Sequence, residues 1–183
     1  MNILASGLEL RVNNGGNAIV KLAKARIKNA MRTFKNEFSY DIYADGTLPN
    51  QINGLQSLVA DAGTGTVGGI DSSAWSFWQN AVQSAAAPLQ GGGAVTVSAT
   101  TIETSIMLPL WLNQVRGDDK PDLMVSSHDW FSFYEASQVS IKRYTSAEEA
   151  SGGFTSLKYK NADVIFDGGS GIPAAHMYFL NTD

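Results

Sequence analysis

Five groups of residues could carry chemistry. Ser127-His128-Asp129 holds the three residue types of a hydrolase relay. A relay needs the serine, imidazole and carboxylate to converge. Adjacent residues at a helix start point about 100° apart, so these three cannot relay to one another. No G-x-S-x-G elbow supports the hydrolase reading, and the expected role is helix capping beside a surface histidine. The carboxylate pairs Asp118-Asp119 and Glu148-Glu149 could act as acid and base or bind calcium, but they fall in expected loops without the D-x-[DN]-x-[DN]-G spacing. Gly63-x-Gly65-x-x-Gly68 matches the dinucleotide string. That motif works only between a strand and a helix whose first amides meet a pyrophosphate. Here it runs into Gly69-Ile70-Asp71-Ser72-Ser73, and no acidic residue follows at the required distance. A loop with positive φ angles is expected instead.

Two aromatic clusters, Trp75-Phe77-Trp78 and Trp130-Phe131-Phe133-Tyr134, could stack bases. Neither is interleaved with Lys or Arg in sequence, so packing in a core or a subunit interface is the expected role. The fifth group is ordered charge. Lys21, Lys24, Lys28, Arg32 and Lys35 fall within about 80° on a helical wheel. They form a basic stripe, either a solvated face or one turned toward an enclosed polyanion or a neighbouring subunit.

The element that carries this stripe is the clearest in the chain. Ile19, Ala23, Ile27, Ala30, Phe34, Phe38 and Ile42 recur at a mean spacing of about 3.8, the helical period. Gly15-Gly16 precedes the run, Asp45-Gly46 follows it, and Pro49 comes soon after. One helix from Asn17 to Ala44 is expected, about 40 Å long. Glu37, Asp41 and Asp45 occupy its last turns, where acids oppose the helix dipole. Beyond Pro49 the reading is as follows. Ile52–Ala60 holds a short strand or helical turn, Thr64–Gly69 a loop and Ala74–Ala87 an alanine-rich helical stretch. A helix at Ser98–Arg116 is interrupted at Pro109, and Asp122–Ser126 is a strand. Ser126 and Asp129 form a capping box that opens a helix to Gln138. Strands at Ile141–Thr145, Phe154–Lys160, Asp163–Asp167 and Ala175–Leu180 close the chain as an antiparallel meander. The class is α+β, a long helix followed by a mixed domain with a central antiparallel sheet flanked by helices.

Composition narrows the function classes. The chain has 183 residues, 13 basic and 17 acidic, with charged residues at 16%. A net charge of −4 argues against a generally basic nucleic-acid binder. There is no cysteine, and His128 and His176 lie far apart, so thiolate and histidine-rich metal sites are excluded and no cofactor is expected. No apolar run approaches the roughly 18 residues of a spanning helix, and the first residues carry no signal-peptide pattern.

Several stretches resemble major capsid proteins of tailed bacteriophages. They are Gly54-Leu55-Gln56-Ser57-Leu58-Val59, Thr64-Gly65-Thr66-Val67-Gly68-Gly69-Ile70-Asp71, Phe77-Trp78-Gln79-Asn80, Pro121-Asp122-Leu123 and Tyr134-Glu135-Ala136-Ser137. The strongest are Phe154–Val164, Phe166-Asp167-Gly168, Ile172-Pro173 and Met177–Asp183. The resemblance implies the Hong Kong 97 capsid fold. Residues 1–48 would hold the spine helix of a peripheral domain. Residues 49–183 would form the axial domain and begin the return. It further implies a non-enzymatic subunit that associates with copies of itself into pentamers and hexamers. The shell would assemble in a bacterial host's cytoplasm, touch packaged DNA without sequence preference, and have no membrane partner. Family relatives often carry arginine where Ser72 and Gln79 stand, so no salt bridge carries over there. The matched run lacks an N-terminal arm, an extended loop and the returning strands, so a fragment or a reduced subunit is expected. A bacterial protein compartment of the same fold, or a small nucleotide-dependent enzyme using Gly63–Gly68, are the other readings.

Overall fold

The computed structural model describes residues 6–12, 15–138, 157–168 and 171–182. Helix α1 (Gly7–Val12) opens with a reciprocal capping box. The Glu9 amide donates to Ser6 Oγ at 3.2 Å, and the Ser6 amide donates to Glu9 Oε2 at 3.0 Å. Glu9 also pairs with Arg26 and so ties α1 to the next helix.

Helix α2 (Gly16–Asp41) is the long helix that the apolar period requires. Asp45, expected inside its last turns, lies beyond them and accepts from the Thr47 amide and hydroxyl at 3.1 and 2.8 Å. These bonds hold its carboxyl below the usual range. An acid that shapes the following turn does not oppose the helix dipole from within the helix.

The end of α2 is gripped by backbone. The Gly54 amide bonds the Ala44 carbonyl at 3.0 Å, and the Leu55 amide bonds the Ile42 carbonyl at 2.6 Å. A Cβ on Gly54 would lie 2.5 Å from the carbonyl oxygens of both Asp41 and Ile42. One on Gly171 would lie 2.7 Å from the Ser39 carbonyl oxygen and 2.9 Å from Tyr40 Cα. Only glycine permits these two approaches. Helix α3 (Leu55–Leu58) follows the grip directly.

The main sheet has the order β4-β5-β3-β6, built from β3 (Leu123–Ser126), β4 (Leu157–Tyr159), β5 (Ala162–Phe166) and β6 (Met177–Leu180). Strand β3 runs parallel to β5 and antiparallel to β6, so the sheet is mixed rather than an antiparallel meander. The reason lies in β3, whose Met124 and Val125 are both buried though they point to opposite faces. A strand apolar on both faces belongs at the centre, and it inserts between two later strands. The α+β class holds. On one face, Ile102, Met107, Trp111 and Tyr134 pack against Met124, Tyr159 and Val164. On the other, Tyr43, Val125, Ile172 and Tyr178 form a second cluster, which receives the root of α2.

Four local expectations are corrected. Residues 79–87 are not helical. Ala87 precedes Pro88, which disfavours helical backbone, and Gln83 is committed outward. Its Nε2 donates to the Ser105 carbonyl at 3.0 Å, while its Oε1 accepts from the Leu89 amide. Pro109, four residues after Ser105, has no N–H to offer that carbonyl. The expected helix at Ser98–Arg116 is instead a π-helical turn, Ile102–Met107, that changes to α-helix at α4 (Leu108–Gln114). The Ser126–Asp129 capping box does not form. The N-cap position of helix α5 (His128–Ser137) falls on Ser127, one residue later, because Ser126 is the buried end of β3, and the Ser127 side chain makes no capping bond. The Ser126 hydroxyl donates to the Ser127 carbonyl. The expected turn at Asn161-Ala162 sits at Lys160-Asn161, with Lys160 at φ 54°. The expected strand at Ile141–Thr145 lies outside the described residues.

Gly54→Ala is expected to destabilise the chain by about 1–3 kcal/mol, the usual cost of forcing an atom into a filled site. Gly16→Ala, where nothing lies within 4 Å, should leave stability unchanged or slightly raised. Thermal melts of both variants check the pair.

Candidate functional site

The basic stripe is where the helical wheel places it. Lys21, Lys24, Lys28, Arg32 and Lys35 are all exposed on α2. Among the described residues none of the five makes an ion pair; the paired cations are Arg26, Lys158 and His176. Beside the stripe, the apolar face of α2 meets water. Ile27 is 50% exposed, Met31 60%, Phe34 63% and Phe38 49%. Phe34 and Phe38 stack on each other at 6.0 Å, and no aromatic ring elsewhere in the described chain joins them. A helix with a regular apolar stripe normally buries it. This one carries the pattern of a buried helix, and among the described residues it joins the sheet only at its end, with the Arg26–Glu9 pair tying it to α1. Periodicity shows that such a stripe exists but not what covers it.

The other candidates do not converge. Gly68 (φ 62°) and Gly69 (φ 81°) form the tip of a hairpin between β1 (Thr66–Val67) and β2 (Ile70–Asp71). Two positive φ values at a two-residue tip match a hairpin turn. No helix opens there to face a pyrophosphate. Ser72 and Gln79 complete this loop: Ser72 Oγ accepts from the Gly65 amide at 2.8 Å, and Gln79 Nε2 donates to the Ser72 carbonyl at 3.0 Å. Neutral hydrogen bonds thus occupy the two positions at which no salt bridge was carried over.

Ser127 Oγ is buried without a partner, and His128 lies edge-on to Phe166 at 5.6 Å. The two do not act on one another. His176 lies 3.1 Å from Asp61 through Nε2 and 2.8 Å from the Ala174 carbonyl through Nδ1, so it joins the start of β6 to the loop after α3. Asp119 pairs by backbone with Arg116 across a tight turn, and Glu148-Glu149 lie outside the described residues. Among the described residues no group of three or more His, Asp or Glu gathers to hold a metal. No helix among them is long and apolar enough to cross a membrane.

The two aromatic clusters separate. Trp130, Phe131 and Phe133 pack partly buried around Tyr134 in the core. Trp75, Phe77 and Trp78 stand on the surface, 58%, 73% and 45% exposed. The sequence gives no warning of the tyrosine pair that sequence spacing hides. Tyr43 donates to Asp167 Oδ2 at 2.6 Å across 124 positions and stacks on Tyr178 at 6.4 Å.

Neither a protein-family model, nor a curated protein, nor a solved structure matches this chain.

Burial, with Asp61 nearby, pushes the Tyr178 hydroxyl up to about 12. Burial, with Glu103 nearby, does the same for Tyr159. Burial and the Asp167 carboxylate also raise Tyr43. The folded state therefore holds these protons more tightly than the unfolded chain, whose tyrosines titrate near 10. That contribution to stability is complete below about pH 10 and is lost as pH climbs toward about 12. Absorbance titration at 295 nm should show these phenols ionising late, together with the loss of folded structure. Complete ionisation near pH 10 with the fold intact would contradict the packing.

Proposed function

We propose that this chain is a structural subunit, or part of one, of a tailed-phage capsid with the Hong Kong 97 fold. Copies associate into capsomers and a shell around DNA, and the chain does no turnover. The observation that carries the reading is the apolar stripe of α2, left uncovered along most of a 26-residue helix and flanked by five unpaired cations among the described residues. A subunit of a shell needs broad surfaces that other copies cover. A helix roughly 39 Å long with an uncovered apolar face is a surface for contact with other chains.

Two further features support it. The stretches that resemble capsid proteins sit on structurally consistent elements: the grip at Gly54, the hairpin at Gly68-Gly69, and strands β3, β5 and β6. The resemblance expects a spine helix followed by a sheet domain, and α2 followed by the mixed sheet is such an order. In the proposed shell the cations of α2 face the lumen or a neighbour. Five duplex phosphate contacts would give a log–log salt slope of about −4.5.

Electron micrographs and light scattering of concentrated protein should show rings or closed shells that retain nucleic acid. Discrete particles filled with a copurified enzyme would move the assignment to a bacterial compartment. A strictly monomeric chain at high concentration would contradict the shell reading. Replacing Lys21, Lys24, Lys28, Arg32 and Lys35 with Gln should flatten the salt slope and release DNA. If both assembly and DNA retention stayed unchanged, the stripe would have no such role.

A further inference from the structure

We infer a binding site for an unpaired nucleobase carrying one phosphate, in a cavity that the sequence gives no hint of. The cavity, about 480 Å³, lies where the exposed turn Ser76–Trp78 approaches the end of α4 and the turn after it. Its volume is within the range of small-ligand sites, about 300–1,000 Å³. Phe77, Asn113, Gln114, Arg116, Asp119 and Lys120 line it. In sequence the aromatic cluster is separated from these cations by some thirty-five positions or more. The fold brings them together.

Each component has a fitting role. Phe77 is 73% exposed, and Trp75 and Trp78 brace its ring edge-on at 6.0 and 6.4 Å. A large apolar ring held rigid and bare in water is a stacking platform, and every base offers it a face. Asn113 and Gln114 supply carboxamides, the side chains that match a base edge with a donor and an acceptor.

Arg116 opens a turn fixed at both ends, and Lys120 follows it directly. The Arg116 amide donates to the Asp119 carbonyl at 2.9 Å, and the Asp119 amide donates back at 3.1 Å. Gly117, at φ 65°, makes the turn possible. Asp119 also lines the cavity, and its negative charge offsets one of the two positive charges in the local sum. The remaining single positive charge suits one phosphate rather than a cluster. The site does not depend on the shell reading, because it uses neither α2 nor a second copy.

Calorimetric titration of the dispersed full chain tests it with adenosine monophosphate, adenosine, ribose 5-phosphate and the single strand (dA)8. Saturable binding of adenosine monophosphate, and weaker or absent binding of ribose 5-phosphate, is the expected result. Phe77→Ala should weaken adenosine and its monophosphate alike by about ten-fold or more, the usual loss of one base stack. The double variant Arg116→Gln/Lys120→Gln should weaken the monophosphate and leave adenosine unchanged, which a folding defect would not do. Tighter binding of (dA)8 than of the monophosphate identifies a strand as the natural source of the base, and equal binding identifies a free nucleotide. Equal binding of ribose 5-phosphate and the monophosphate would overturn the proposal. So would the absence of saturable heat from every probe, or unchanged affinity in Phe77→Ala.

Discussion

A helix of 26 residues joined to the sheet, among the described residues, at its last turn imposes one constraint on everything else: the described residues of its own chain leave its apolar stripe uncovered. Ile27, Met31, Phe34 and Phe38 are each about half exposed or more. Fully burying such a side chain contributes about 1.5–3 kcal/mol. Completing the burial of four of them is worth on the order of 4 kcal/mol per helix on the same scale. One helix is not enough to overcome the translational and rotational cost of association, about 4–15 kcal/mol. A chain that makes several contacts at once bears that cost once, so packing against more than one neighbour is favoured over a lone pair.

The grip at the end of α2 decides how such a stripe is presented. Gly54 and Gly171 let the chain close around the last turn, and Tyr43 reaches from there onto the sheet to bond Asp167. Tyr43 then stacks on Tyr178 of β6, the edge strand beside the central β3. The helix and the sheet are joined by close backbone approach and one buried tyrosine cluster. This joint is rigid where it exists and narrow in extent. A chain built so can hold its long helix at a fixed angle while leaving the rest of it available.

What the sequence reveals follows from what each feature depends on. Helix α2, strand β3 and helix α5 were legible because hydrophobic period and local breakers are properties of neighbouring residues. The exposed stripe of five cations was legible for the same reason. The sheet order was not. Parallel pairing of β3 with β5 depends on burial of both faces of Leu123–Ser126, and four apolar residues do not say which strands flank them. Two S-x-x-[DE] strings that stand before helices, at Ser6 and Ser126, look alike, yet of these the first forms a box and the second does not, because Ser126 is claimed by the strand. The alanine-rich stretch misled because its conformation is set by Pro88 and by the reach of Gln83 to Ser105. The meeting of Phe77 with Arg116 and Lys120 is a product of tertiary folding and leaves no trace in local composition.

The central claim is that contact between copies covers the stripe of α2. Sedimentation velocity on the intact chain and on Ile27→Asp/Phe34→Asp, across a wide concentration range, tests it most directly. Both replaced positions are exposed, so the fold of the single chain should survive the change. The account predicts that the parent forms large species as concentration rises and that the double variant remains a single chain. Identical sedimentation of the two proteins, whether both assemble or both stay monomeric, would contradict it.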